Sequence, residues 1–421
     1  MSEDFFYFVH RGEGPAGNGV SAVDPANGQI AATISLGGVS PLDVAALPGG
    51  KELLVLVADR AELRHIDLER LAVTAAVDID GQEQYTALAL SPDGSRAYVT
   101  GRHGVEEVDA ATGERLRTLA HEGAYGYRAV VVSPDGAWLY ALASNAVVGF
   151  ETESGKSVMA SLELEVDQSV ALRAAPDGSA LYLSAYSPGD EAEKGFALVR
   201  VETQSLTATA EIYKTHNVPA AVAADGRVYI PTWDDVCRFN PQLSEDPAPD
   251  SLRIHPWRTA CLSPDGGTLA TSSGEGALLQ STQRPEDDEH EWHATFPVAL
   301  PGTAVALTTA AAPAILSARL EAGPARALAA FTVSELTARL TTQGGDPITG
   351  QPLTFTSAGG LDLGTAHTAA DGTAQLTAQV LLPIDPETGT IDTSALTGPY
   401  TVRYPGQSSY SPADAQADLT L

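Results

Sequence analysis

The chain has 421 residues, 43% of them apolar, and a formal net charge of −30. That length supports two or three domains with sizeable cores, and the apolar share excludes a disordered chain. So acidic a surface repels nucleic acid phosphates and anionic lipid, which removes both as expected partners and otherwise serves solubility. No apolar run approaches the ~18 residues that span a bilayer, so no membrane insertion is expected.

The N-terminus opens with Met1-Ser2-Glu3-Asp4, and the apolar stretch Phe5–Val9 that follows is too short for a signal peptide. From there a short phrase recurs. Ser91-Pro92-Asp93-Gly94, Ser133-Pro134-Asp135-Gly136 and Ser263-Pro264-Asp265-Gly266 each stand between two apolar runs, with weaker copies at Pro176-Asp177-Gly178, Asp225-Gly226 and Pro48-Gly49-Gly50. Proline pre-sets φ, Asp caps the turn and Gly accepts positive φ, so each copy predicts a β-hairpin. Pro48, Pro92, Pro134 and Pro176 follow one another at 44, 42 and 42 residues. A period of this length, built from short strands and turns, is that of propeller blades.

One repeat illustrates the unit. An apolar inner strand at 85–90 ends in the SPDG turn; Arg96–Thr100, Gly104–Asp109 and Glu114–Leu119 then predict three outer strands, the last two joined through Thr112-Gly113. The phrase resembles the YVTN family of β-propeller repeats over about residues 5–309, with Tyr98-Val99-Thr100, Asp109 and Thr112-Gly113 as its best matches. Inner strands are expected near 40–47, 85–91, 127–133, 168–175, 218–224, 257–263 and 303–309. The first set of outer strands lacks an inner one and the last inner strand lacks outer ones. The reading is therefore a seven-bladed β-propeller closed by strands from both ends of residues 1–309.

After Thr309 the repeat stops, and residues 310–421 become rich in Ala, Thr, Leu and Gly. Strands are expected at Ile315–Glu321, Phe331–Thr342, Pro352–Ser357, Thr373–Val380 and Pro399–Tyr404, a pattern that suggests a β-sandwich. The strings Gly350–Phe355, Leu363–Ala366, Ala370–Ala374 and Tyr400–Pro412 resemble bacterial immunoglobulin-like domains. The fold class expected for the whole chain is all-β. The pairing of these two domain types favours an extracytoplasmic or cell-surface location, whereas the N-terminus leaves a cytoplasmic one open.

In a propeller the SPDG turns occupy one face and the irregular loops the other. The irregular loops hold Arg102, His103, Tyr125, Tyr127, Arg128, Tyr186, His216, Trp233, Asp234, His255, Trp257 and Arg258. Arginines and aromatics at a concave mouth are common binding anchors, though such residues also pack on one another as a lid. Asp287–His293 contains two histidines among acids, but on a strand they would point to opposite faces, so a solvated acidic loop is the preferred reading and no metal or cofactor is expected. No nucleophile elbow, P-loop or dinucleotide fingerprint is present. The expected function is non-enzymatic binding of a protein or glycan. The alternatives are a metal-assisted lyase or hydrolase at the channel mouth, and a structural subunit of a larger assembly.

Overall fold

A computed structural model describes the chain apart from residues 1–3, 13–16, 80–84, 145, 162–170, 188–194, 215–219, 232–235, 245–256, 274–275, 283–295, 314–317, 329–331, 343–344, 346, 381, 383–392, 407–409, 411–412 and 421. It divides into two compact units, Met1–Pro313 and Ala314–Leu421.

Among the described residues the first unit forms seven antiparallel sheets, six of four strands and one of three. The SPDG phrase makes the turn between the first two strands of a sheet. Ser91 Oγ donates to Asp93 Oδ1 at 2.5 Å, Arg96 N donates to Ser91 Oγ at 3.0 Å, and Gly94 takes φ +73. Ser133 with Asp135, and Ser263 with Asp265, repeat the same bond at 2.6 Å. The turns also touch: a Cβ on Gly94 would meet Pro48, one on Gly136 would meet Pro92, and one on Gly178 would meet Pro134. The proline of one turn thus packs against the glycine of the next, which accounts for the recurrence of both residues.

The first strands stand side by side. Pro41–Ala46 neighbours Leu88–Leu90, followed by Ala129–Val132, Ala171–Ala174, Ala221–Val222, Trp257–Leu262 and Thr303–Ala311, and the last neighbours Pro41–Ala46 again. Thr303–Ala311 belongs to the first sheet, pairing antiparallel with Asp4–Arg11. The Tyr7 hydroxyl adds a 2.6 Å bond to the Ala311 carbonyl. Second strands carry most of the core: Leu53, Leu54, Val55, Leu56 and Val57 are all fully buried, because both faces of the strand meet a neighbouring sheet. Fourth strands such as Ala72–Asp78 are largely exposed.

The second unit has two sheets. One joins Ala318–Gly323, Thr332–Thr342, Ala325–Leu328 and Leu419–Thr420, with Thr373–Gln379 also on Thr332–Thr342. The other joins Asp362–His367, Pro352–Thr356, Tyr400–Tyr404 and Ala413–Ala417. Their shared core contains Val333, Leu336 and Leu340 from the first sheet and Leu353, Phe355 and Val402 from the second. Tyr400 stacks on Phe355 and donates its hydroxyl to the Gly323 carbonyl, with the Thr337 carbonyl 3.1 Å away, tying the sheets together.

Candidate functional site

Antiparallel order sorts the connections of the first unit. Turns between strands one and two, or three and four, lie at one end of a sheet; turns between strands two and three, and links to the next sheet, lie at the other. Arg102 and His103 sit in a turn of the second kind, between Arg96–Thr100 and Val105–Asp109. Tyr125, Tyr127 and Arg128 sit on the link between Arg115–Leu119 and Ala129–Val132. The two segments are bonded: Gly126 N donates to the Arg102 carbonyl at 2.8 Å, and Ser144 N donates to the Tyr125 carbonyl at 2.9 Å. Gly126 has φ +62, and a Cβ there would stand 2.5 Å from Ser144 Oγ, so the close approach requires glycine.

Arg102, His103, Tyr125 and Arg128 are exposed on this joined surface, with Tyr125 retaining 61% of its area. Tyr127 differs from expectation. It is 1% exposed, packs against Phe150 and accepts the His121 amide on its hydroxyl, so it belongs to the core and not to the exposed surface. Tyr186 lies in Ala180–Ser187, paired with Phe196, while Trp257 and Arg258 lie at the irregular start of Trp257–Leu262; the side chains of these three are outside the described residues. His216, Trp233, Asp234 and His255 lie wholly outside them, as does the 287–293 string.

The exposed surface continues into a cavity of about 720 Å³ between the seven first strands, with Arg128 in its lining. Most of the wall is Ala, Val and Leu; Asp43, Arg173, Cys261, Thr86, Thr259 and Thr308 add polarity. Asp43 accepts the Leu88 amide on Oδ2 and the Val44 amide on Oδ1, both at 2.8 Å. Burial pushes its carboxyl above the usual range, against the opposing pull of those amides and of the Arg173 guanidinium. Arg173 donates Nη1 to the Leu172 carbonyl at 3.0 Å. Burial also pushes the Cys261 thiol up to about 11 despite Arg173, so at neutral pH it is a protonated, weakly nucleophilic thiol. The channel can therefore hold a small polar group by hydrogen bonds and charge, but it holds no activated cysteine. The sequence signal for Asp43 and Arg173 was a charge inside an otherwise apolar inner strand, in Pro41–Ala46 and Ala171–Ala174.

No known protein family matches the chain by sequence, and neither does any curated protein. Similarity appears among solved structures. Hydrazine synthase from Kuenenia stuttgartiensis superposes with a TM-score of 0.51 at 20% identity, over 63% of this chain and 89% of that one. The Cps50 (Swd1) β-propeller domain of Myceliophteria thermophila gives 0.45 at 15% identity, over 61% of this chain and 86% of that one. The chain contains a β-propeller. Its four-stranded antiparallel sheets are the blades, and identities this low bear on fold alone.

Proposed function

We propose that the protein is a non-enzymatic binding protein whose propeller recognises a protein or glycan through the face carrying Arg102, His103, Tyr125 and Arg128. The carrying observation is the Gly126–Arg102 bond, which gathers two arginines, a histidine and an exposed tyrosine beside the channel opening. A rigid platform that presents aromatic and guanidinium groups on a strongly acidic chain suits a partner bearing anionic or hydroxyl groups. In this reading the propeller has seven blades of YVTN type, closed by pairing of Asp4–Arg11 with Thr303–Ala311, a pairing that supports closure by both ends. Residues 310–421 act as an immunoglobulin-like spacer or docking module; two sheets on one core support that assignment. Cell-surface display and membership of a larger assembly are both compatible with it.

Glycan and peptide arrays, each including anionic and neutral members, provide the test. The wild-type chain should bind a restricted set, and Tyr125→Ala should lose it without a change in melting. An absence of selective binding on either array would overturn the reading. The alternative, a metal-assisted lyase or hydrolase with its site at the channel mouth, is tested by metal analysis with and without chelator.

A further inference from the structure

A second cavity, also about 720 Å³, opens at the SPDG end between the fourth and fifth sheets. Its lining includes Trp138, Tyr140, Val158, Asp135, Asp177 and Thr203. Trp138 and Tyr140 stack on each other with centroids 6.2 Å apart and planes 15° apart. Val158 leaves 48% of its area exposed, an unusual exposure for a large apolar side chain in this chain.

The neighbouring sheets differ from this one at an equivalent position. His65, Glu107, Gly149 and Arg200 occupy the same register position in successive sheets, opposite Leu54, Tyr98, Tyr140 and Tyr182. In three of these sheets a nitrogen donor crosses to a turn carbonyl of the next sheet. His65 Nε2 reaches the Ala110 carbonyl at 2.9 Å. Arg117, held by Glu107, donates to the Thr152 carbonyl. Arg200 Nε donates to the Pro241 carbonyl at 2.8 Å. In the fourth sheet the position is Gly149, which sends no side chain across and is covered by the Tyr140 ring and Val158.

The carbonyl awaiting it is that of Thr203. Ala110, Thr152 and Thr203 are equivalent: their amides donate to Ser95, Ala137 and Ser179 carbonyls at 3.0, 2.9 and 3.0 Å. Yet among the described residues no donor reaches the Thr203 carbonyl. Nearby, Asp135 takes its bonds from Ser133 and Ala137 on Oδ1, and Asp177 takes its bonds from Ser179 on Oδ1; among the described residues no donor reaches either Oδ2. Tyr140 is hydrogen-bonded to the Thr203 side chain, and the slot combines the turn carbonyl of the part-exposed Thr203, two carboxylates and an aromatic wall.

We propose that this groove binds an arginine side chain of a partner polypeptide, which supplies from outside the guanidinium that Arg117 and Arg200 supply internally in neighbouring sheets. The guanidinium donates to the Thr203 carbonyl and the carboxylates while its stem and plane lie against Trp138. This site lies at the opposite end of the sheets from Arg102 and Arg128, so it is independent of the binding face proposed above.

The test uses the full chain with N-acetyl-arginine N-methylamide and its neutral isostere, N-acetyl-citrulline N-methylamide, at physiological salt. The readout is the tryptophan indole N–H spectrum, with the Trp138 signal assigned by its loss in Trp138→Phe. The arginine compound should shift that signal saturably and bind at least about fivefold tighter than the citrulline compound, as expected for a desolvated cation–π contact joined to charged hydrogen bonds. Val158→Lys, which places a competing ammonium at the exposed rim, should weaken binding about tenfold with melting unchanged. Equal binding of both compounds, an unmoved Trp138 signal, or full binding by Val158→Lys would each overturn the proposal.

Discussion

The Leu88 amide donates to Oδ2 of Asp43 at 2.8 Å, joining the first strand of one sheet to the first strand of the next. A first strand turns its outer edge to the channel, where no further strand can pair with it. Asp43 meets that need with a side chain. It also accepts the Val44 amide, so one carboxylate caps two donors.

Replacing Asp43 by Ala should therefore cost about 1–3 kcal/mol, the penalty for a buried donor left without a partner. Asp43→Asn keeps one acceptor and should cost less. Urea denaturation of the three proteins measures both differences; an Ala variant as stable as wild type would contradict this role.

The turn-to-turn packing predicts unequal costs for equivalent glycines. Gly94 and Gly178 have nearly the same φ, +73 and +72, so alanine meets the same backbone strain at each. A Cβ on Gly94 would stand 2.5 Å from Pro48 Cδ, whereas one on Gly178 would stand 3.7 Å from Pro134 Cδ. Gly94→Ala should be the more destabilising by at least about 1 kcal/mol, the lower end of overpacking costs. Equal melting shifts would show that the turns do not press on each other.

Pairing between the two ends of the first unit makes a third expectation. Deleting residues 300–309 removes most of Thr303–Ala311 and exposes the edge of Asp4–Arg11, so the unit should lose cooperative melting. A milder change, Tyr7→Phe, removes the hydroxyl bonded to the Ala311 carbonyl and should cost about 1–2 kcal/mol. Were the deletion to melt as the wild type does, closure by both ends would be wrong.

His10 gives the unit a pH dependence. It is fully buried, with Nδ1 2.9 Å from the Gly17 carbonyl and Nε2 3.0 Å from Ser21 Oγ. Burial lowers its pKa from the ordinary value of 6.5, so the unfolded chain binds the proton more readily than the folded one. Stability from this group is complete above pH ~6.5 and falls as the pH drops below it. Melting temperature should decline from pH 7 to 5, and His10→Gln should flatten that decline. An identical slope in the variant would assign the effect to other groups.

The all-β character was legible because turn chemistry and apolar runs alternate so regularly. Ser91, Pro92, Asp93 and Gly94 each have a separate job in one turn, and their recurrence marks successive sheets. The site was less legible. Tyr127 shares its type and neighbourhood with Tyr125, and only packing against Phe150 separates a core ring from an exposed one. Asp43 and Arg173 lie within apolar segments, where a single charge is easily passed over. The groove beside Trp138 opens at the SPDG end, in the sheet where the position equivalent to Arg200 is Gly149. That equivalence is visible only once Gly149 is aligned in register with His65, Glu107 and Arg200.

Recognition through the face around Arg128, as proposed above, is tested most directly by a paired charge reversal. Arg128 borders the channel, whereas Arg227 follows an SPDG-like turn at the other end and is paired with Asp225. Arg128→Glu and Arg227→Glu change the net charge equally. Binding to the array ligand should fall at least about tenfold in Arg128→Glu, as for an interface hot spot, and stay near wild type in Arg227→Glu. Equal losses in the two variants, or none in Arg128→Glu, would contradict the account.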